Sequence, residues 1–206
     1  KYIYSVMLEG DYVFLSKKME SIVKEGLKSD NEGIAMVEDI LNASNIKSGV
    51  MKYSNSPMDF KDLVLSVISD QGKIARDKNL SFETNIDEGD YRISGDSFQL
   101  KQVVKNLLDN AIKYTSVGKV IVSLSRLGGR MLFSVKDTGV GITREDKQKL
   151  FTEGGRGKNS QKINVDSTGF GLFIAKSIVE AHNGKIWAES DGEGKGSEFF
   201  VELSVR

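Results

Sequence analysis

Cysteine is absent from the 206 residues, so neither a disulfide framework nor a thiolate metal site can be built. A single histidine, His182, removes most histidine-dependent catalysis and most zinc sites from consideration. Charge of one sign is not in excess. Lys and Arg number 29 and Asp and Glu number 29, which argues against a general nucleic-acid binder but leaves room for a local phosphate site. No apolar run reaches the ~18 residues of a membrane span, and no signal peptide is expected from the residues given. What remains is ordinary globular composition, 39% hydrophobic and 28% charged. The missing cysteines are compatible with a cytosolic location. The chain opens inside an apolar pattern (Tyr2, Ile3, Val6, Met7, Leu8) and not at a methionine, so it reads as a fragment of something longer.

The hydrophobic period divides the chain in two. Residues 1–8 read as the end of a helix, and residues 9–18 as a turn. Ser16 then suits an N-cap for a long helix over 17–47, where Met19, Ile22, Val23, Leu27, Ile34, Val37, Ile40 and Leu41 recur at a period near 3.5, with Gly49 at its end. Such a helix runs about 45 Å at 1.5 Å per residue, which suits a hairpin or bundle that borrows a second chain. After Gly49 the pattern changes. The single proline, Pro57, lies in a connector and short strand, and Asp59 can cap a helix carrying Phe60, Leu63, Val64, Val67, Ile68 and Ile74. Strands are predicted at 80–86 and 90–96, a helix at 97–114, and two strands around the turn Gly128-Gly129. Residues 142–168 are polar and weakly periodic beyond a short helix signal, the mark of a functional or disordered loop. A helix and two strands close the chain. The expected class is α+β, one sheet with helices on one face.

Three motifs could carry chemistry. In QVVKNLLDNAIKYT (102–115) Asn106 and Asn110 share a helix face, with Lys113 a turn beyond. Asparagine is a mediocre helix former, so two on one stripe require a reason: bonding to the backbone, or oxygens for a hard cation such as magnesium, with the lysine as a point charge for phosphate. In KDTGVGI (136–142) a predicted strand ends in Asp137, followed by Gly139 and Gly141. Taken alone this is an ordinary turn composition. In STGFGLFIAK (167–176) Gly169 and Gly171 open a helix, whose N-terminal N–H groups suit phosphate. Neither a Walker A sequence nor a Rossmann fingerprint is present.

In this order the motifs resemble the ATP-binding domain of sensor histidine kinases, within the wider Bergerat-fold group of gyrase, the mismatch-repair protein MutL and the ninety-kilodalton heat-shock chaperone. NLLDNAIKYT looks like the N box, DTGVGI the G1 box, STGFGL the G2 box, and GKGSEF (194–199) the last glycine motif. DILNASNIKSG (39–49) resembles the end of the second helix of the dimerisation hairpin. The resemblance implies a two-layer α/β sandwich over 50–206, preceded at 1–49 by a partial helical hairpin. That hairpin lacks the H box with its phosphoacceptor histidine. Other departures are Ser167 in place of the first G2 glycine and glycines after Phe151 in the F box.

The same resemblance implies roles. Asp137 would accept from the adenine amino group, favouring ATP over GTP. Asn110 would coordinate Mg²⁺, with Asn106 beside it. Lys113 would neutralise phosphate and Tyr114 would line the pocket. Gly139, Gly141 and Ile142 would pass close to the base. Gly169, Phe170, Gly171 and Leu172, with Thr168, would present the phosphate site. Phe151 belongs to the lid, with Arg156, Gly157 and Lys158 as γ-phosphate contacts, and Ser197 would join a contact to adenine. Activity would be phosphoryl transfer from ATP to a histidine, relayed to a response-regulator receiver domain. The chain would dimerise through its N-terminal helices and bind no nucleic acid. It would lie in the cytoplasm, alone or as part of a membrane-anchored sensor. A competing reading is a nucleotide-binding pseudokinase or scaffold. A third is a gyrase-type ATPase, disfavoured because Asn106 stands where those proteins carry a glutamate base. His182, at a helix end, reads as structural.

Overall fold

The computed structural model describes residues 16–155 and 169–205. The tail of the first hairpin helix expected at residues 1–8 lies outside them.

Helix α1 (Lys17–Lys47) is continuous, and its N-cap Ser16 accepts from the Met19 N–H. Gly49, just past its C-cap Ser48, has the positive φ that ends helices. Strand β1 (Ser56–Asp59) pairs antiparallel with β3 (Arg92–Gly95) in a small separate ribbon. That pairing tolerates Pro57 because such a ribbon is all edge. Helix α2 (Phe60–Asp77) follows at once, capped by Asp59. Strand β2 (Ser81–Ile86) precedes β3 in the chain, and helix α3 (Ser97–Tyr114) follows it, capped by Asp96. Then come the hairpin β4 (Lys119–Leu127) and β5 (Arg130–Asp137), the short helix α4 (Arg144–Lys147), helix α5 (Gly171–Ala181), β6 (Lys185–Glu189) and β7 (Ser197–Ser204).

Among the described residues the main sheet has the order β2-β4-β5-β7-β6. Only β2 and β4 are parallel, and α3 lies within the crossover that a parallel pair requires. The other neighbours are antiparallel. Alternation along each strand separates the two faces. Val120, Val122 and Leu124, Met131, Phe133 and Val135, and Phe199, Val201 and Leu203 are buried together. Phe60, Leu63, Val64 and Val67 of α2, Leu100 to Ile112 of α3, and Ile174 to Val179 of α5 complete that core. On the opposite face Trp187 and Phe200, paired in register, stack at 5.0 Å. The result is the expected two-layer α+β sandwich. Helix α1 touches it through its last turns: Ala43 is buried, Ile46 packs against the core, and Lys47 pairs with Glu153.

Helix α3 is the centre of the helical layer, in contact with both α2 and α5. Leu107 is fully buried there. Leu107→Ala should therefore cost about 3 kcal/mol of unfolding free energy, measured by urea unfolding. A loss under about 1 kcal/mol would mean that α3 is not the core element described.

Candidate active site

Strand β5 delivers Asp137 to the end of the sheet, where the carboxylate is 5% exposed. Its Oδ1 accepts from the Gly139 N–H at 2.8 Å. Its Oδ2 accepts from the Ser197 hydroxyl at 2.5 Å, Ser197 being its register partner on β7. Burial pushes the carboxyl above its ordinary value, against the opposing pull of the Ser197 and Gly139 hydrogen bonds. A carboxylate offers about four lone-pair sites, so two bonds leave capacity for a further donor.

The chain after Asp137 is locked to two neighbours through its backbone. The Val140 N–H donates to the Tyr114 carbonyl at the end of α3. The Gly194 N–H donates to the Val140 carbonyl at 2.7 Å, and the Gly196 N–H to the Gly139 carbonyl at 3.1 Å. The glycines make this approach possible. A Cβ on Gly139 would lie 2.3 Å from the Tyr114 oxygen, and one on Gly141, which has φ +69°, 2.1 Å from the Gly192 oxygen. Ile142 is half-buried, and its N–H donates to the Ser190 hydroxyl. That hydroxyl also reaches the Gly196 carbonyl at 2.6 Å. Ser190 was not legible as a site residue from sequence; its signal is only the turn composition of SDGEGKGS.

Helix α3 contributes the polar edge. The Asn110 amide donates to Asn106 Oδ1 at 3.1 Å, so the two asparagines are linked. Asn106 also abuts the start of α5, where a Cβ on Gly171 would fall 2.2 Å from its Nδ2. Lys113 is exposed and Tyr114 half-buried at the helix end, next to the Asp137 loop. Asp109, which the sequence reading did not single out, has its carboxyl pushed up by burial, opposed by Lys105, a Gln71 hydrogen bond and Lys113.

Helix α5 begins differently from the others. Ser16, Asp59, Asp96 and Thr143 cap their helices with side-chain oxygens, but the N-cap Phe170 supplies no side-chain bond. Gly169 before it has φ +72°. The first amides of α5 thus take no bond from their N-cap side chain, and the helix start lies against Asn106. Leu172 and Phe170 pack against the core beside it, as does Phe151, edge-on to Phe199 at 6.5 Å. Arg156, Gly157, Lys158 and Thr168 lie outside the described residues.

Asp137, Asn106, Asn110 and the N-terminus of α5 are thus drawn together around α3: a buried acceptor, amide oxygens and the opening amides of a helix. Among the described residues no group of three or more histidines and carboxylates could hold a metal. The oxygen donors present suit a magnesium ion held mainly by phosphates and water, with few protein ligands.

Residues 95–206 match the family of histidine kinase-, DNA gyrase B-, and HSP90-like ATPases. The chain belongs to this family. It is 30% identical over 188 residues to the sensor protein GacS of Pseudomonas syringae pv. syringae, covering 86% of this chain and 20% of GacS. It therefore spans about a fifth of that relative's length. The catalytic domain of histidine kinase ThkA superposes with a TM-score of 0.63 at 29% identity, covering 75% of this chain and 98% of that domain. A ThkA structure in complex with the response regulator TrrA matches at 0.69 and 23%, over 99% of this chain and 57% of that one. Full-length ShkA in complex with AMPPNP shares the fold at 0.76 and 24% identity, over 94% of this chain and 41% of ShkA. The mixed sheet with helices on one face and the glycine-laced loops are thus the ATPase-family architecture.

The raised Asp137 carboxyl has a stability consequence. The folded state holds this proton more tightly than the unfolded chain, so this group's contribution falls as pH rises above about 4 and is most favourable in acid. In Asp137→Asn that fall should vanish. Melting temperatures of the two proteins should diverge in the variant's favour between about pH 4 and about pH 7. Parallel curves would contradict the burial described.

Proposed function

We propose that the chain is the ATP-binding catalytic core of a sensor histidine kinase, residues 50–206 holding the nucleotide and 1–49 belonging to a dimerisation hairpin. The observation that carries the reading is the buried Asp137 carboxylate, whose loop bonds the end of α3, together with the Asn106–Asn110 pair of the same helix lying against the start of α5.

An adenine amino group meets Asp137 as a donor meeting an acceptor with spare lone pairs. Guanine would bring a carbonyl oxygen there, leaving two acceptors opposed in a buried site, so GTP is disfavoured. Tyr114, Gly139, Gly141, Ile142 and Ser197 surround the base. Phosphates lie against the amides at the entry to α5, from Gly169 through Leu172, with Lys113 and residues Arg156, Gly157, Lys158 and Thr168 adding charge and donors. Asn110, with Asn106 beside it, would hold the magnesium ion, which supplies charge neutralisation across the phosphates. Phosphoryl transfer asks mainly for positioning and charge stabilisation, and these residues provide both. The loop that carries Phe151 closes over the nucleotide and excludes water. Asn106 cannot act as a general base, so ATP hydrolysis is slow.

The acceptor is a histidine other than His182, whose two ring nitrogens are both bonded within the fold. The ThkA complex with TrrA supports a response-regulator receiver domain as the onward acceptor. The exposed apolar stripe Met19, Ile22, Ile34, Val37, Ile40 and Leu41 on α1 supports pairing of two copies through this helix. No described helix is long and apolar enough to cross a membrane, and the reading puts these residues on the cytoplasmic side of a sensor.

Calorimetry tests this. ATP should bind more tightly with Mg²⁺ than without, and GTP about tenfold or more weaker; Asp137→Asn should cost ATP a similar factor. Asn110→Ala should erase the Mg²⁺ dependence. Equal binding of ATP and GTP, or an unchanged Asp137→Asn affinity, would refute the assignment.

A further inference from the structure

His182, the single histidine, ends α5 at its C-cap and is bonded through both ring nitrogens. Nδ1 lies 2.7 Å from the Ile178 carbonyl, and Nε2 accepts from the Asp96 N–H at 2.9 Å. A carbonyl can only accept and a backbone N–H can only donate. The proton therefore sits on Nδ1, and Nε2 is the bare acceptor. The ring is tightly seated: a Cβ on Gly95 would come within 3.1 Å of His182 Cδ2, and Tyr53 meets the ring edge-on at 5.7 Å.

Asp96, the residue so held, has two further tasks. Its Oδ1 caps α3 through the Gln99 N–H at 3.1 Å. Its Oδ2 accepts from the Ser54 N–H at 2.8 Å, in the segment between α1 and β1. Both are charge-assisted bonds to a carboxylate that is itself 9% exposed. Burial and, after it, the same carboxylate push the Tyr53 phenol up.

We propose that His182 is a positioning residue: by holding Asp96 it ties the segment leaving α1 and the first turn of α3, the helix of Asn106 and Asn110, to one carboxylate. A shift in the exit of α1 then moves the cap of the nucleotide-site helix. By linkage, occupancy at α3 tightens the exit of α1. This second half rests on the nucleotide reading above; the first half does not.

The test is amide hydrogen exchange, resolved by NMR, on the 206-residue chain with His182→Gln and His182→Asn. Glutamine carries its carbonyl to about where Nε2 stands and can still accept from Asp96. Asparagine is too short for that but can still serve the Ile178 carbonyl. In His182→Asn, Ser54 and Gln99 should exchange about tenfold faster, while His182→Gln stays within about twofold of the parent and Val135 in β5 is unchanged in both. The proposal is overturned if Ser54 is unaffected in His182→Asn, if the two variants behave alike, or if Val135 accelerates equally. Saturating Mg²⁺–ATP should slow Ser54 exchange in the parent and not in His182→Asn; bound ATP with no such slowing overturns the coupling. If ATP does not bind, the nucleotide reading falls, and the nucleotide-free comparison still decides the role of His182.

Discussion

The structure depends on the burial of helix α3. Its apolar face, from Leu100 to Ile112, is removed almost entirely from water between the sheet and the flanking helices α2 and α5. That burial leaves the helix no freedom to rotate. A turn of one residue would drive Asn106 or Asn110 into the core or lift Leu107 into solvent. The polar stripe is therefore held at the border of the core by the cost of moving the apolar one. Caps at one end and a backbone bond at the other define its length: Asp96 takes the Gln99 N–H, and the Tyr114 carbonyl takes the Val140 N–H.

From that helix the rest of the site follows. The Tyr114 carbonyl receives the loop after β5, and the loop after β6 closes on the same segment from the other side. Three stretches of backbone meet where side chains would collide, so glycine is required there for contacts within the protein as much as for access by a ligand. The packing shields Asp137 from water and leaves it a hydroxyl and an amide as partners. A buried carboxylate with unused lone pairs is costly alone and becomes favourable when a matching donor enters. The base preference proposed above rests on that arrangement.

Helix α1 stands partly apart from this core. Its last turns are packed, through Ala43 and Ile46, while much of its apolar stripe is exposed. The link between α1 and the sandwich is local: beside Ala43 and Ile46 it is made by Ser54, Asp96 and His182 and by the pairing of Lys47 with Glu153.

Much of this was legible in the sequence. Hydrophobic period and capping residues placed α1, α2 and α3 because helices are set by local spacing and by side chains that bond the nearest free amides. Strand alternation placed β4, β5 and β7 for the same local reason. The Asn106–Asn110 stripe, Asp137 and the glycines were visible because each breaks a local rule: a poor helix former in a core helix, a carboxylate at the end of an apolar strand, flexible residues where a helix begins. What no local pattern could reveal was who meets whom. That Gly171 rests on Asn106, that Gly141 faces Gly192, that Ser190 braces both loops, and that His182 reaches back to Asp96 all depend on residues tens of positions apart. Sequence encodes the shape of each element through neighbours along the chain. Only the packing of those elements, which buries one face of each against another, decided which side chains share a site.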